Sequence, residues 1–477
     1  MKENKYNLSY VFSLAMVSAL GGLLFGYDWV VIGGAKPFYE VYFDIAGQPS
    51  LQGWAMSSAL IGCIFGALVA GALSDKYGRK NLLIVAAGLF VISAFGTGDT
   101  NDFIWFIIYR MIGGAGIGLA STLSPMYIAE ISPSEFRGRF VSINQLTIVI
   151  GILAAQIVNI LIAEPVPGNA TPADITGSWN GQSGWRWMFW AELVPAVLFF
   201  IMMFMVPESP RFLVKLGDHR GAVKTLSKVG GKIYADNEIN HIKASLSNNF
   251  DDKVSYKALF SPEIAPIVLI GVVLAVFQQW CGINVIFNYA QEVFQAADYN
   301  INDMYLNIII TGGINLIFTL VAMRLVDRVG RRTLMLFGSI GLALIYLILG
   351  SLYYFAFSGW PVLLIVVIAI AIYAMSLAPV TWVVLSEIFP NRVRGVAMSL
   401  ATLSLWVASF ILTFTFPLLN DLLGTHGSFW IYSIICLGGF LFMHKKLPET
   451  KNRSLEEIEK ELTQNKINSE LVNACEN

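Results

Sequence analysis

Twelve separate stretches of this chain are apolar over a length that suits a lipid bilayer and little else. A helix needs about 20 apolar residues to cross the hydrocarbon core. Runs of that size lie at 9–35, 54–74, 81–99, 103–129, 139–163 and 187–206, and again at 264–290, 304–326, 333–355, 361–387, 394–417 and 428–446. Only 13% of the residues are charged, against about 25% in a soluble domain. The expected fold class is therefore an all-α membrane protein with twelve transmembrane helices. No small-residue cleavage site follows the first run, so it reads as a retained span. The four cysteines lack paired spacing, and none of the four histidines is placed for metal binding or catalysis.

One long polar segment, 207–260, separates the sixth run from the seventh. Its Arg220, Lys224, Lys228, Glu238 and Lys243 sit at helix-compatible spacing, predicting short amphipathic helices against the cytoplasmic face. Lysine and arginine mark the cytoplasmic side of a membrane protein. With the N-terminus inside, the inner loops carry Lys76, Arg79, Lys80, Arg137, Arg139, Arg328, Arg331, Arg332, Arg392 and Arg394. The opposite loops would hold only Lys36 and Arg186. Both termini are expected in the cytoplasm.

The chain repeats itself. "DKYGRK" (75–80) follows the second run and "DRVGRR" (327–332) the eighth; "EISPSEFRGR" (130–139) follows the fourth and "EIFPNRVRG" (387–395) the tenth. "PESPR" (207–211) closes the sixth run and "PETKNRS" (448–454) the twelfth. Three motif pairs in one order, all on one face, predict two related six-helix bundles. The expected division is 1–206 for the first bundle, 207–260 for the linker, 261–446 for the second bundle and 447–477 for the tail.

These doubled motifs, with "LSPMYIAEISP", "FQQWCGINVIF" and "WVVLSEIFPNRVRG", resemble the sugar porter family of the major facilitator superfamily. Within it the likeness is greatest to bacterial proton-coupled sugar symporters, those for xylose included. It covers the chain from about Phe25 to Thr450. The resemblance implies two pseudo-symmetric bundles, a substrate site at the midplane between them, and transport by alternating access.

Three charges fall inside apolar runs: Asp28, Arg110 and Glu192. At 1.5 Å per residue, Asp28 lies roughly 28 Å along its helix and Arg110 about 30 Å from the inner end of its own. Glu192 follows the outer end of the sixth run by about two turns. All three are expected at similar depth in the first half. An ionised group there faces a partner or a water-filled cavity. One reading is a static Asp28–Arg110 fastener. The other is a proton site, since burial raises a carboxyl's proton affinity and a nearby guanidinium lowers it. The family resemblance implies the second: the matching aspartate is the proton carrier, the matching arginine its modulator, and facilitators usually have a neutral residue there. Glu192 joins this candidate proton-coupling set.

A hydroxyl-rich ligand needs amides that donate and accept, with aromatic faces for its C–H surfaces. "FQQWCGIN" offers Gln278, Gln279, Trp280 and Asn284 in one run, with Gly282 able to loosen the helix. The resemblance adds Gln145, Asn315 and Trp382 as sugar-contacting positions and supports Gln278, Gln279 and Asn284. The chain departs from a xylose-transporting relative at Ile152 and Leu405, where that protein has glutamine, and has Asn288 where many relatives have tyrosine. A sugar is expected; which one is not fixed.

Glu130 and Glu387 each stand seven residues before Arg137 and Arg394, with Arg79 and Arg331 on neighbouring loops. These six form a candidate cytoplasmic gate, its charges cross-linking the halves when the inner side closes. Gly62/Gly66 and Gly114/Gly118 predict close helix packing. Asn169-Ala170-Thr171 is a glycosylation sequon, and "SLEEIEKEL" from Ser454 reads as a solvated tail helix. No ATP-binding loop is present, so energy comes from gradients. The expectation is a monomeric monosaccharide–proton importer of the cell membrane, with no cofactor, no metal, no nucleic-acid partner and no enzymatic activity. A sugar uniporter and a non-transporting sugar sensor are the alternatives.

Overall fold

The computed structural model describes residues 6–167, 170–247, 259–390, 393–451, 453 and 457. The Asn169 sequon, Arg392, Cys475 and almost all of the acidic tail run lie outside them. Among the described residues every regular element is helical. Two compact units divide the chain, Met1–Lys253 and Val254–Asn477.

The first unit is built on α1 (Leu8–Tyr42), α2 (Pro49–Tyr77), α3 (Arg79–Asp99), α4 (Phe103–Ile131) and α5 (Arg137–Ile162). Its sixth span is composite. The short α6 (Pro172–Gly177) is followed by a π-helical turn at Asn180–Gly184, then α7 (Trp185–Trp190) and α8 (Leu193–Met205). The second unit contains α11 (Ala265–Trp280), α12 (Ile283–Asn288), α13 (Ala290–Gln295), α14 (Ile301–Val329), α15 (Arg331–Tyr354), α16 (Trp360–Met375), α17 (Leu377–Ile388) and α18 (Arg394–Lys446).

Eleven of these helical segments are long and apolar enough to cross a membrane. The last, α18, has 53 residues, or about 80 Å of helix, more than twice the roughly 30 Å core. Its backbone leaves helical geometry at Gly424 (φ 67°, ψ 171°), so it is two spans joined at a bend. The chain therefore crosses twelve times, as its apolar pattern predicts. Large side chains such as Leu161 (77%), Val194 (75%) and Met205 (80%) are exposed; such a surface suits acyl chains and not water. This is a multi-pass membrane protein.

Within the first unit, α2 and α4 interlock through their small residues. A Cβ on Gly62 would meet the Met111 carbonyl, and one on Gly114 the Ala59 carbonyl; Gly66 and Gly118 face Ala115 and Cys63 in the same way. Without a hydrophobic driving force between helices in lipid, such close backbone approach supplies the packing. Gly114→Leu is expected to force these helices apart, at a cost beyond the ~1–3 kcal/mol of an overpacked core. Loss of the monodisperse peak in detergent would register it; an unchanged yield and melting temperature would contradict the packing account.

Two side chains depart from expectation. Lys36, expected in an outer loop, lies inside α1, which runs on to Tyr42. It is 1% exposed and pairs with Glu40 at 2.9 Å, one turn on. Gln52 donates to the other Glu40 oxygen at 2.9 Å. A buried pair with a third hydrogen bond satisfies its charges locally, and so the helix need not end. Arg186 likewise sits in α7, 9% exposed, donating to the Gly98 and Thr100 carbonyls at 2.7 Å each and to Asn101 at 2.7 Å.

The polar segment forms α9 (Pro210–Lys215) and α10 (His219–Ser247), the latter bent at Gly230–Gly231, where Gly231 takes φ 80°. Ala222, Leu226, Val229 and Ala235 pack on Val11, Ala15, Ile128 and Phe140, while Arg220, Lys224 and Lys228 are exposed. The helices are amphipathic, and they cover one end of α1, α4 and α5.

Candidate functional site

The three intramembrane charges meet in the first unit. Asp28 on α1, Arg110 on α4 and Glu192 at the α7–α8 junction are 1%, 2% and 1% exposed. One Arg110 NH group donates to Asp28 Oδ1, and the other donates to the Asp28 backbone carbonyl at 3.3 Å. Glu192 lies close enough to Asp28 and Arg110 to feel the charge of both. The guanidinium also lies over the Phe189 ring, 5.8 Å from its centroid. Asp28 Oδ2 and Arg110 Nε have no hydrogen-bond partner. Gly113 lets Ser93 pack close beside them: a Cβ there would stand 2.4 Å from the Ser93 hydroxyl oxygen and 3.4 Å from Asp28 Oδ2. Two carboxylates and one guanidinium sum to one negative charge, and a buried net charge is costly.

The second unit gathers the amides. Gln278 and Gln279 are 5% and 7% exposed at the end of α11. There the helix breaks at Cys281 and Gly282 (φ 87°, left-handed) before α12 resumes. The break the sequence suggested at Gly282 is thus present. It lets one chain of hydrogen bonds form. Asn284 donates to Gln279 Oε1 at 2.5 Å, Gln279 to Gln278 Oε1 at 2.7 Å, and Gln278 to the Tyr373 hydroxyl on α16 at 3.2 Å. Trp280 is half-buried, and its indole donates to the Ala408 carbonyl on α18 at 2.9 Å, tying the two helices together. Asn315 is 7% exposed on α14 and Trp382 half-buried on α17. Gln145 is half-buried on α5, in the first unit. Ile152 lies on the same helix against Gly26, and Leu405 is buried beside Trp406.

Sequence reasoning missed several polar groups of this kind. Asn307, Thr311 and Thr319 join the expected Asn315 at every fourth residue along α14, the four being 4%, 3%, 5% and 7% exposed in that order, a polar stripe on one helix face. Its spacing is legible once α14 is known to be a helix. Gln156 on α5 is 2% exposed with an unpartnered Oε1. Tyr373 carries its signal in the single hydroxyl of "IAIAIYAM".

The repeated motifs converge at one end of each unit. Arg79 pairs with both Glu130 oxygens at 3.1 Å, and Ser209 donates to Glu130. Glu208 accepts from the Arg79 and Lys80 amides at 3.0 and 3.1 Å, capping the start of α3 where its dipole is positive. The second unit repeats the scheme: Arg331 with Glu387 at 3.2 Å, Thr450 donating to Glu387 at 2.6 Å, and Glu449 accepting from the Arg331 and Arg332 amides at 2.9 and 3.1 Å. Gly78 and Gly330 make the turns, with φ of 92° and 109°. Arg137 donates to the Ala129 carbonyl at 3.0 Å and Arg394 to Phe389 at 3.2 Å. Every one of these contacts is internal to its own unit.

This arrangement has counterparts among known proteins. Residues 14–462 match the sugar (and other) transporter family. The D-xylose-proton symporter of Escherichia coli K12 is 40% identical over 96% of this chain and 96% of its own. The arabinose-proton symporter of Bacillus subtilis is 37% identical over 95% and 96%. Among solved structures, the inward-open xylose transporter XylE of E. coli matches with a TM-score of 0.81 at 38% identity, covering 94% of this chain and 99% of that one. The chain belongs to the sugar porter family of the major facilitator superfamily, whose members are transporters and not enzymes.

Proposed function

We propose that this protein imports a monosaccharide, hexose or pentose, together with a proton by alternating access. It would do so as a monomer in the cell membrane, with both termini cytoplasmic. The observation that carries the reading is the buried cluster of Asp28, Glu192 and Arg110, in which Arg110 pairs with Asp28 and a second carboxyl lies within range of both charges. Relatives named as sugar–proton symporters support it further. In this reading the proton binds the Asp28–Glu192 pair, and movement of Arg110 relative to Asp28 expels it. The sugar is held by the amides around Gln279. The membrane potential contributes about 2.3 kcal/mol per charge per 100 mV and each pH unit about 1.4 kcal/mol. The test is uptake of single hexoses and pentoses into vesicles bearing an imposed inward proton gradient. Accumulation that collapses with an uncoupler supports symport; equilibration alone, indifferent to the gradient, makes the protein a uniporter; binding without uptake makes it a sensor.

The charged motif ends would act as the cytoplasmic gate. Glu130→Ala or Arg394→Ala is expected to bias the protein inward-open, raising inner-side and lowering outer-side cysteine labelling severalfold. An unchanged labelling ratio would remove the gate from the account.

A further inference from the structure

The unpartnered oxygen of Asp28 lies beside a hydroxyl of α3. Arg110 holds Asp28 Oδ1, while Oδ2 is buried without a hydrogen-bond partner. A Cβ on Gly113 would stand 3.4 Å from Asp28 Oδ2 and 2.4 Å from the Ser93 hydroxyl oxygen. The two oxygens are therefore no farther apart than those two distances laid end to end, a gap that rotation of the hydroxyl or one water closes. Ser93 is buried, and so is Thr97, one turn further along α3; positions four apart share one helix face. Thr97 Oγ1 also has no hydrogen-bond partner, although a helical threonine readily bonds the carbonyl four residues back, as Thr176 and Thr415 do. A buried unmet hydroxyl calls for an explanation. The helix ends two residues beyond it, at Asp99, so Ser93 lies only about 9 Å along the axis from that end. There a polar cavity of about 300 Å³ is lined by Tyr42, Asp99, Asn101, Gln182, Arg186 and Trp190. Asp99 is exposed at its rim, a carboxylate to balance the Arg186 cation. With the termini cytoplasmic, as proposed above, this end faces outward.

We propose that Asp28 takes its proton from the outside along α3, through the hydroxyls of Thr97 and Ser93, by a route that lies within the first unit and passes none of the candidate sugar contacts. This rests on the reading of the chain as a proton-coupled carrier. Ser93 hands its hydroxyl hydrogen to Asp28 Oδ2 and regains one from the Thr97 side. The carboxylate becomes a carboxyl, and both hydroxyls end as they began. Hydroxyls suit the task because each both donates and accepts. The charged groups around Asp28 are Arg110 on α4 and Glu192 at the α7–α8 junction. Tyr27 on α1 and Cys63 on α2 are the titratable groups within range of the cluster. Neither α3 nor α5 brings a charged side chain to that depth. The relay therefore sets how fast Asp28 loads and leaves its proton affinity to those neighbours.

The test follows sugar-triggered acidification of vesicles across external pH, with whichever hexose or pentose drives the largest signal in the wild type. A relay limits the rate only where protons are scarce. Ser93→Ala and Thr97→Val are each expected to slow acidification about tenfold in alkaline medium and to recover the wild-type rate in acid, an acid shift of the profile by about one pH unit. Thr97→Ser, which keeps the hydroxyl, should retain the wild-type profile. Valine matches threonine in shape, so the two Thr97 variants decide the matter if Ser93→Ala does not fold. An unchanged alkaline rate in Ser93→Ala or in Thr97→Val would overturn the route and send the proton in by another path. A loss equal at every pH, or one shared by Thr97→Ser, would mark a packing role and overturn it as well. A wild type that moves sugar without acidification would overturn the coupling reading itself, whereas an acidifying wild type with unaffected variants overturns this route alone.

Discussion

Asp28→Asn is expected to keep sugar exchange across the membrane and to lose accumulation against a gradient. The asparagine preserves the shape of the side chain and can accept from Arg110, so the α1–α4 contact persists. It removes one of the two buried carboxyls near the single guanidinium. With Glu192 and Arg110 alone the cluster is neutral without a proton, and nothing remains to load. One proton driven by 100 mV and one pH unit can sustain a sugar ratio of about 500-fold; the variant's ratio should fall to one. Concentrative uptake and counterflow, measured in parallel, separate these outcomes. Full retention of uphill uptake would remove Asp28 from the coupling role.

The second large effect falls on the amides. Gln279→Ala deletes the central member of the Asn284–Gln279–Gln278–Tyr373 chain. It leaves a donor of Asn284 and the Gln278 carbonyl without partners in a buried site, and also takes away a sugar ligand. The combined loss should raise KM for sugar uptake about a hundredfold. Trp280→Phe, next in sequence, removes only the indole donor to Ala408 and should leave KM within about threefold. Equal effects of the two substitutions would mean that this region is sensitive to packing and not to its amides.

Much of this was legible in the residues, for reasons that are physical. Twelve apolar runs announce twelve crossings because lipid tolerates no unsatisfied backbone. Asp28, Arg110 and Glu192 could be placed at one depth because a helix rises at a fixed rate. What escaped was local compensation. Lys36 read as part of an outer loop, yet paired with Glu40 one turn on it is buried within α1. The PES and PET motifs read only as marks of a repeat. In the folded chain Glu208 and Glu449 each cap a helix start, and Ser209 and Thr450 each bind the glutamate that holds an arginine. Those partners are more than fifty residues apart in sequence, and spacing along the chain carries no trace of them. The direction of each amide in the Gln278–Asn284 chain was equally out of reach, because it depends on the left-handed turn at Gly282.

The central claim is that sugar and proton cross together through the cluster at Asp28. The most direct measurement loads purified protein into vesicles containing a pH-sensitive dye and adds single sugars from outside, with no imposed gradient. The account predicts internal acidification triggered by a transported sugar, absent with non-substrates and abolished in Asp28→Asn. Sugar entry with no acidification in the wild type would contradict it, and the protein would then be a facilitator whose Asp28–Arg110 pair fastens α1 to α4.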